Sequence, residues 1–299
     1  MKLYSPSSRS DFAFCPRMWW LRKQGWKSKR VGYPELCAIG GIAFGEAMHL
    51  WNTRRIAKQV VVVEELIATG LQSVAVQVAE LTAQDRRVTG VKDQEFLAQL
   101  PGWVEMAIVT IFVSDPLAGH EIIASEHTFT EWGDMRADVI SRDPQGELVV
   151  DDYKCKFGVF DVAWTDKEFE KHFDGEQRLY YTQASGAGKF GIVLVVVQPR
   201  ANYKPGKPHV IRRVSRVQDH EVRLWKNDML LDCVQMEGVE KQTNPWAVRG
   251  KAAPHASVYG ECVYREACVE DGLDVGRMGV RYVQIDRKGV TGGVSSASE

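Results

Sequence analysis

The chain has 299 residues, 44% hydrophobic and 26% charged, with a formal net charge of −1. These are the values of an ordinary globular chain, and the near-zero balance excludes a globally basic nucleic-acid binder, so any such partner must meet a local patch. Six cysteines in so long a chain make no disulfide framework. MKLYSPSSRSDF lacks the apolar core of a signal peptide and no apolar run reaches membrane-spanning length, so the expectation is a cytoplasmic protein with reduced thiols and no membrane contact.

Ser5-Pro6-Ser7-Ser8 is a helix-start signal, and Ser8–Phe14 reads as a short helix. Pro16 suits the first turn of a second one, through Leu21. Residues 23–32 (KQGWKSKRVG) read as a basic loop with one tryptophan. Glu35–Gln59 is predicted as a long helix, because Leu36, Ile39, Ala43, Ala47, Leu50 and Trp51 keep helical spacing. Gly40, Gly41 and Gly45 cost helix propensity there and point to a closely packed neighbour. Glu64–Arg87 and Asp93–Ser114 read as two further amphipathic helices. The period then changes. His120–Trp132 alternates as a strand, Met135–Arg142 and Glu147–Lys156 follow as two more, and a loop runs to about Asp166. Lys167–Ala187 reads as helix with a break near Asp174-Gly175. Phe190–Gln198 has the continuous hydrophobicity of a buried strand. His209–Val217 is an arginine-rich strand, Gln218–Met236 a helix, Thr243–Tyr259 irregular, and from Arg287 the tail has the composition of a disordered segment.

Chemistry concentrates in Gly133–Lys156. Asp143-Pro144-Gln145-Gly146-Glu147 has the composition of a type I turn followed by a left-handed glycine bulge. Closing a hairpin on Asp143 and Glu147 makes the numbers of opposed residues sum to 290, so Asp138 falls opposite Asp152, Arg136 opposite Lys154 and Ile140 opposite Val150. Two carboxylates opposed on one face repel unless something positive lies between them. Lys154, two residues from Asp152, shares that face. A divalent-cation site with an adjacent lysine and a solvated strand face of mixed charge both fit this spacing.

Four signals follow one another along the chain: Gly45-Glu46-Ala47-Met48-His49 on the long helix, Ala137-Asp138, Asp152-Tyr153-Lys154 after the apolar Leu148–Val150, and Gln177-Arg178-Leu179-Tyr180-Tyr181 on the later helix. In this order the set resembles the PD-(D/E)XK nuclease superfamily, in its RecB-like branch, which includes AddB-type, CRISPR-associated and many phage exonucleases. The family often carries glycine just before the first aspartate, where this chain has Arg136 and Ala137. The resemblance implies an α/β (α+β mixed-sheet) fold with a restriction-endonuclease-like αβββαβ core, added N-terminal helices and a C-terminal helical or irregular segment. It covers roughly Ser5 to Cys268 and implies one nuclease domain over residues 1–286, with a helical part at about 35–115, a catalytic core at about 118–217 and a cysteine-bearing segment at about 243–270, followed by a disordered tail at 287–299.

By this resemblance His49, Asp138, Asp152 and the carbonyl of Tyr153 are metal ligands for Mg²⁺ or Mn²⁺, Lys154 and Gln177 are catalytic beside Asp152, and Glu126 and Tyr181 are accessory. The activity implied is metal-dependent hydrolysis of DNA, most simply by an exonuclease of recombination, repair or phage DNA processing, with a recombination or helicase partner. A catalytically idle DNA-binding or scaffold subunit and a structure-specific endonuclease are the alternatives. Some RecB-like nucleases also hold an iron–sulfur cluster. Cys15-Pro16, Cys262 and Cys268 match its framework, but its remaining position is Tyr259. A lost cluster, or a zinc site completed by His255, fits three thiolates. Candidate DNA contacts are Arg22, Lys23, Lys27, Lys29 and Arg30 with Trp26 as a stacking residue, and the arginines of Val210–Val217.

Overall fold

The structure is a computed structural model that describes residues 3–130, 135–161, 165–173, 175–201 and 204–242, with short pieces at 256–257, 260–261, 264, 267–268, 273, 277–278 and 281–285. The chain opens with α1 (Pro6–Phe14) and α2 (Pro16–Lys23), both started by proline, and the Ser5 side chain caps α1 by accepting from the Ser8 N–H. Residues 26–28 are not loop but strand β1 (Trp26–Ser28). The helical layer follows: α3 (Tyr33–Ile56), α4 (Val63–Ala83) and α5 (Val91–Ser114). Then come β2 (Glu121–Phe129), β3 (Met135–Arg142), β4 (Leu148–Asp161), α6 (Thr165–Phe173), α7 (Glu176–Ser185), β5 (Lys189–Ala201), β6 (Lys204–Pro205), β7 (His209–Arg216) and α8 (Asp219–Glu240). The two-residue strands β8 (Ala256–Ser257) and β9 (Gly260–Glu261) pair with each other, and β10 (Tyr282–Gln284) pairs with β1.

The main sheet has the order β2-β3-β4-β5, with β7 on the far side of β5 and β6 on the end of β5. The β4–β5 pair is parallel and the other pairs are antiparallel, so the sheet is mixed. One face packs on α3, α4 and α5, with Val193, Val195 and Val197 of β5 pointing into that core. The other face packs on α1, α2, α7 and α8, with Phe190, Ile192, Leu194 and Val196. Both sides of β5 are therefore dry, which is why its sequence is continuously apolar rather than alternating. The strand expected to end at Lys156 continues to Asp161, held by parallel pairing of Val159–Asp161 with Gln198–Arg200 past an irregularity.

By length and composition α4 and α5 are each apolar enough to cross a membrane, where no such segment was expected. Each buries a stripe in the helical layer, Leu66, Gly70 and Val74 on α4 and Leu100, Val104, Ile108 and Ile111 on α5, as a helix of a packed domain also does.

The α3 glycines divide into two kinds. A Cβ at Gly40 would lie 2.7 Å from the Phe157 ring and 2.8 Å from Leu100, so this glycine does admit a close neighbour. A Cβ at Gly41 or Gly45 would meet nothing within 4 Å. Gly41→Ala is expected to raise stability by about 1 kcal/mol through helix propensity alone. Gly40→Ala must displace the Phe157 ring and forfeits that gain. Urea midpoints of the two variants check the contrast.

Candidate active site

The β3–β4 hairpin carries the register expected from its turn: Arg142↔Leu148, Ser141↔Val149, Ile140↔Val150 and Val139↔Asp151. The Asp143 N–H donates to the Glu147 carbonyl (2.9 Å), the Gly146 N–H donates to the Asp143 carbonyl (2.8 Å), and Gly146 takes φ +85°. The Asp143 carboxylate accepts from the Gln145 and Glu147 N–H groups and from Lys189 (2.6 Å), and the lysine holds it down at about 2.

The ladder ends at Val139↔Asp151. One step further the strands fork. The Tyr153 N–H donates to the Asp138 side chain (Oδ2, 2.7 Å). Asp138 and Asp152 thus oppose each other across the fork, both lining one cleft. The expected facing of Arg136 with Lys154 is not among the paired positions: Arg136 pairs with Glu126, and Lys154 Nζ lies 2.6 Å from Asp152 Oδ2. The pairs Ser125↔Val139 and His127↔Ala137 set Glu126 level with Asp138. Glu126 has φ +53°, a left-handed conformation uncommon outside glycine. Glu126, Asp138 and Asp152 therefore make a row of three carboxylates across β2, β3 and β4.

The electrostatics follow from this crowding. Burial pushes the Asp138 carboxyl well above the usual carboxylate range and the charge of Asp152 adds to the shift, while Lys154 and the Tyr153 N–H pull the other way. Burial works to lower the Lys154 pKa, but Asp152 and Asp138 outweigh it, so the ammonium stays charged. Burial also raises Glu126, against the pull of Arg136.

Gln177 sits two residues into α7. Its Nε2 donates to Asp152 Oδ1 (2.9 Å) and to the Tyr181 hydroxyl (2.9 Å), which itself donates to the Arg136 carbonyl (2.7 Å). One turn of helix separates Gln177 from Tyr181, so the tyrosine fixes the amide that fixes the aspartate. Tyr153 lines the cleft too. Its ring packs edge-on against Phe44 (centroids 6.3 Å apart) and its hydroxyl accepts from buried Asn52 (3.4 Å).

His49 is placed less directly. Its Nδ1 lies 3.1 Å from Ser125 Oγ, and the Ser125 hydroxyl donates to the Asp138 carbonyl (3.2 Å). The imidazole thus reaches the backbone of Asp138 through a serine that sequence reasoning missed. Among the described residues lining the cleft, Glu46 is the ionisable side chain from α3. The cleft encloses about 990 Å³. Gly41 and Gly45 form part of the α3 wall, and Lys171, His172 and Glu176 come from α6 and α7. Arg9 of α1, 2% exposed, spans Glu176 (2.9 Å) and Asp232 (2.6 Å) and ties α7 to α8 beside Gln177. No three His, Cys, Asp or Glu side chains among the described residues converge closely enough to hold a metal ion by themselves.

Asp151 points away from the cleft, as expected, into a bidentate ion pair with Arg212 (2.8 and 3.0 Å). Asp134 lies outside the described residues. So do Cys262, Tyr259 and His255, and with them the cysteine-cluster reading. Cys15 and Cys268 are described. Burial raises the Cys268 thiol, against the pull of Arg17.

Several of the DNA-contact candidates are engaged within the fold. Trp26 is buried and cannot stack on a base. Arg22 pairs with Asp11, and Lys23 lies over the Tyr4 and Trp19 rings. Arg212, Arg213 and Arg216 are held by Asp151, Asp166 and Glu147. Sequence alone hides the acidic partner that each meets, on β4, on α6 and in the hairpin turn.

No family model matches the chain, and no curated protein matches it. Four chains among the solved structures do. One, the crystal structure of SSO0001, is 14% identical over 46% of this chain and 66% of its own length, just under two thirds, with a TM-score of 0.22. At that score the likeness carries no argument about fold or function.

Proposed function

We propose that the chain is a divalent-cation-dependent nuclease with a restriction-endonuclease-like core of the RecB-like type, which hydrolyses phosphodiester bonds in DNA. The observation that carries the reading is the opposition of Asp138 and Asp152 with a single lysine beside them. Two carboxylates opposed in this way repel unless positive charge or a proton offsets them, and Lys154 supplies one positive charge beside them. The order α3, β2, β3, β4, α7, β5 supports it, with α4, α5 and α6 as insertions.

The donor set fits Mg²⁺ or Mn²⁺. It is oxygen-rich, with an imidazole nearby, and the buried Asp152 Oδ2 faces the Lys154 ammonium at 2.6 Å. Asp138, Asp152 and the Tyr153 carbonyl would hold the ion, with His49 and Glu126 flanking them. When bound, the ion supplies positive charge to the scissile phosphate and lowers the pKa of the attacking water. The chain's own residues do the rest. Lys154, kept charged by the two aspartates, donates to the attacking water or to a non-bridging phosphate oxygen as negative charge grows there. Gln177, fixed by Tyr181, keeps Asp152 from rotating. Gly41 and Gly45 leave room for the sugar–phosphate chain. The water oxygen bonds to phosphorus as the bond to the leaving oxygen breaks, and the water's proton leaves to solvent while the leaving oxygen gains one.

The test is cleavage of end-labelled single- and double-stranded linear DNA and of closed circles, with Mg²⁺ or Mn²⁺. An exonuclease cuts the linear forms and spares the circle, whereas a cut circle marks a structure-specific endonuclease. Inertness toward all substrates with both cations rejects the proposal and favours an idle DNA-binding subunit.

The raised Asp138 pKa adds a solution test. This carboxyl holds its proton more tightly folded than unfolded. Its contribution to the stability of the metal-free protein is therefore complete below the unfolded carboxylate pKa and is lost as pH rises through the raised folded value. A cation competes with that proton. The rise in melting temperature on adding Mn²⁺ is expected to be larger at about pH 8 than at about pH 6. A rise independent of pH would place the ion elsewhere.

A further inference from the structure

We infer that the recess lined by Lys29, Arg30, Arg87 and Arg281 is a second phosphate site, which grips the backbone of a nucleic-acid strand away from the bond to be cut. The choice of nucleic acid as its ligand rests on the proposed nuclease reading. The recess encloses about 470 Å³. Its cations come from three separate segments that only the fold brings together. The Lys29 N–H donates to the Arg281 carbonyl (2.9 Å), the Arg87 N–H to the Lys29 carbonyl (2.8 Å), and the Val31 N–H to the Arg87 carbonyl (2.9 Å). β1 and β10 are thereby locked to the turn between α4 and α5, and four cationic side chains share one wall in a chain whose net charge is −1.

Among the described residues that line the recess, Asp85 is the carboxylate. Asp85 lies 3.5 Å from Lys29 and 3.4 Å from Arg87, whose side chain is 78% exposed. Long, exposed pairs of this kind are weak, so a phosphate can replace the carboxylate. The recess also stands at a useful distance. α3 begins at Tyr33, just beyond Arg30 and Val31, and lines the cleft from Ala38 to Glu46. Five to thirteen residues of helix span about 8–20 Å, on the order of two to six base-pair steps of duplex. A strand cut at Asp138 and Asp152 therefore has its flank within reach of the recess.

The experiment uses the full chain in EDTA, so that nothing is cut, and a labelled 30-nucleotide DNA followed by fluorescence anisotropy across a salt series. Lys29→Gln combined with Arg87→Gln is expected to weaken binding about tenfold at low salt and to make the salt slope shallower by about 1.4, two contacts at about 0.7 each. Asp85→Asn should tighten binding. Asparagine tolerates the left-handed backbone that Asp85 holds at φ +53°, so this variant keeps the fold. Unchanged affinity and slope in both variants overturn the inference, as does complete displacement of the DNA by millimolar inorganic phosphate. A parallel assay with Mn²⁺ and a p-nitrophenyl thymidine monophosphate, too short to reach the recess, separates the two claims. Equal turnover by wild type and both variants leaves the nuclease intact and the recess remote from it. If wild type leaves the ester and all DNA uncut while the binding changes appear, the nuclease reading fails and the phosphate site stands.

Discussion

Asp138→Asn is expected to abolish metal-dependent DNA cleavage, by about 10²–10³-fold or more, while the metal-free protein melts no lower than wild type. Asparagine reproduces the neutral side chain that burial and Asp152 impose on Asp138. Its amide oxygen can still accept from the Tyr153 N–H, and like the protonated aspartate it carries no charge to repel Asp152. The fold loses nothing and the cation loses a ligand. Lys154→Ala is expected to abolish cleavage to a similar degree with the opposite effect on stability. Lys154 is the ammonium paired with buried Asp152, and its loss leaves that carboxylate beside Asp138 without its counter-charge. Mn²⁺ should restore part of that stability without restoring activity. Two variants of equal inactivity and opposite melting behaviour would be hard to obtain from a merely structural cluster. Undiminished Mg²⁺-dependent cleavage in both would end the nuclease reading.

Arg212→Ala is expected to cost about 3–5 kcal/mol of stability, more than any other single change considered, although Arg212 lies outside the cleft. Its partner Asp151 is fully buried, and a Cβ at the neighbouring Gly191 would lie 1.9 Å from Asp151 Oδ1, so the carboxylate fills the only space a side chain could take there. Arg212 also approaches His120 Nε2 (3.3 Å), whose Nδ1 lies 3.0 Å from Ser141 Oγ. Burial foremost, with Arg212 adding to it, keeps that imidazole pKa low. Removing the guanidinium strands a buried charge and breaks the network at once. Arg212→Lys should recover only part of the loss, since an ammonium cannot make the bidentate pair. The double variant Asp151→Asn, Arg212→Met should be less destabilised than Arg212→Ala, because no uncompensated charge remains. Urea denaturation midpoints measure all three, and a cost below about 1 kcal/mol for Arg212→Ala would show that Asp151 has another counterion.

Much of the architecture is readable from local chemistry. Proline at residues 6 and 16 starts two helices, the Asp143–Glu147 turn sets the β3–β4 register, and the apolar run of β5 marks a strand covered on both faces. These features depend on neighbours within a few residues, and such preferences act before any tertiary contact forms. The order of His49, Asp138, Asp152, Lys154 and Gln177 along the chain is equally a property of the sequence.

What the sequence could not convey is which partner each charge meets. The fork that frees Asp138 from the ladder, the serine between His49 and Asp138, and the left-handed backbone at Glu126 arise where three strands and α3 meet. The acidic partners of Arg212, Arg213 and Arg216 come from β4, α6 and the hairpin turn. Trp26, which looked free to stack on a base, is buried within the core that also takes in Tyr264 and Tyr282. The cations of the recess lie more than 250 positions apart at their extremes, Lys29 and Arg281, and a short antiparallel ribbon brings them together. Local propensity selects the elements and the turn selects one register. The facing of charged groups is decided only when the sheet closes and each ion must find a counter-charge or remain in water.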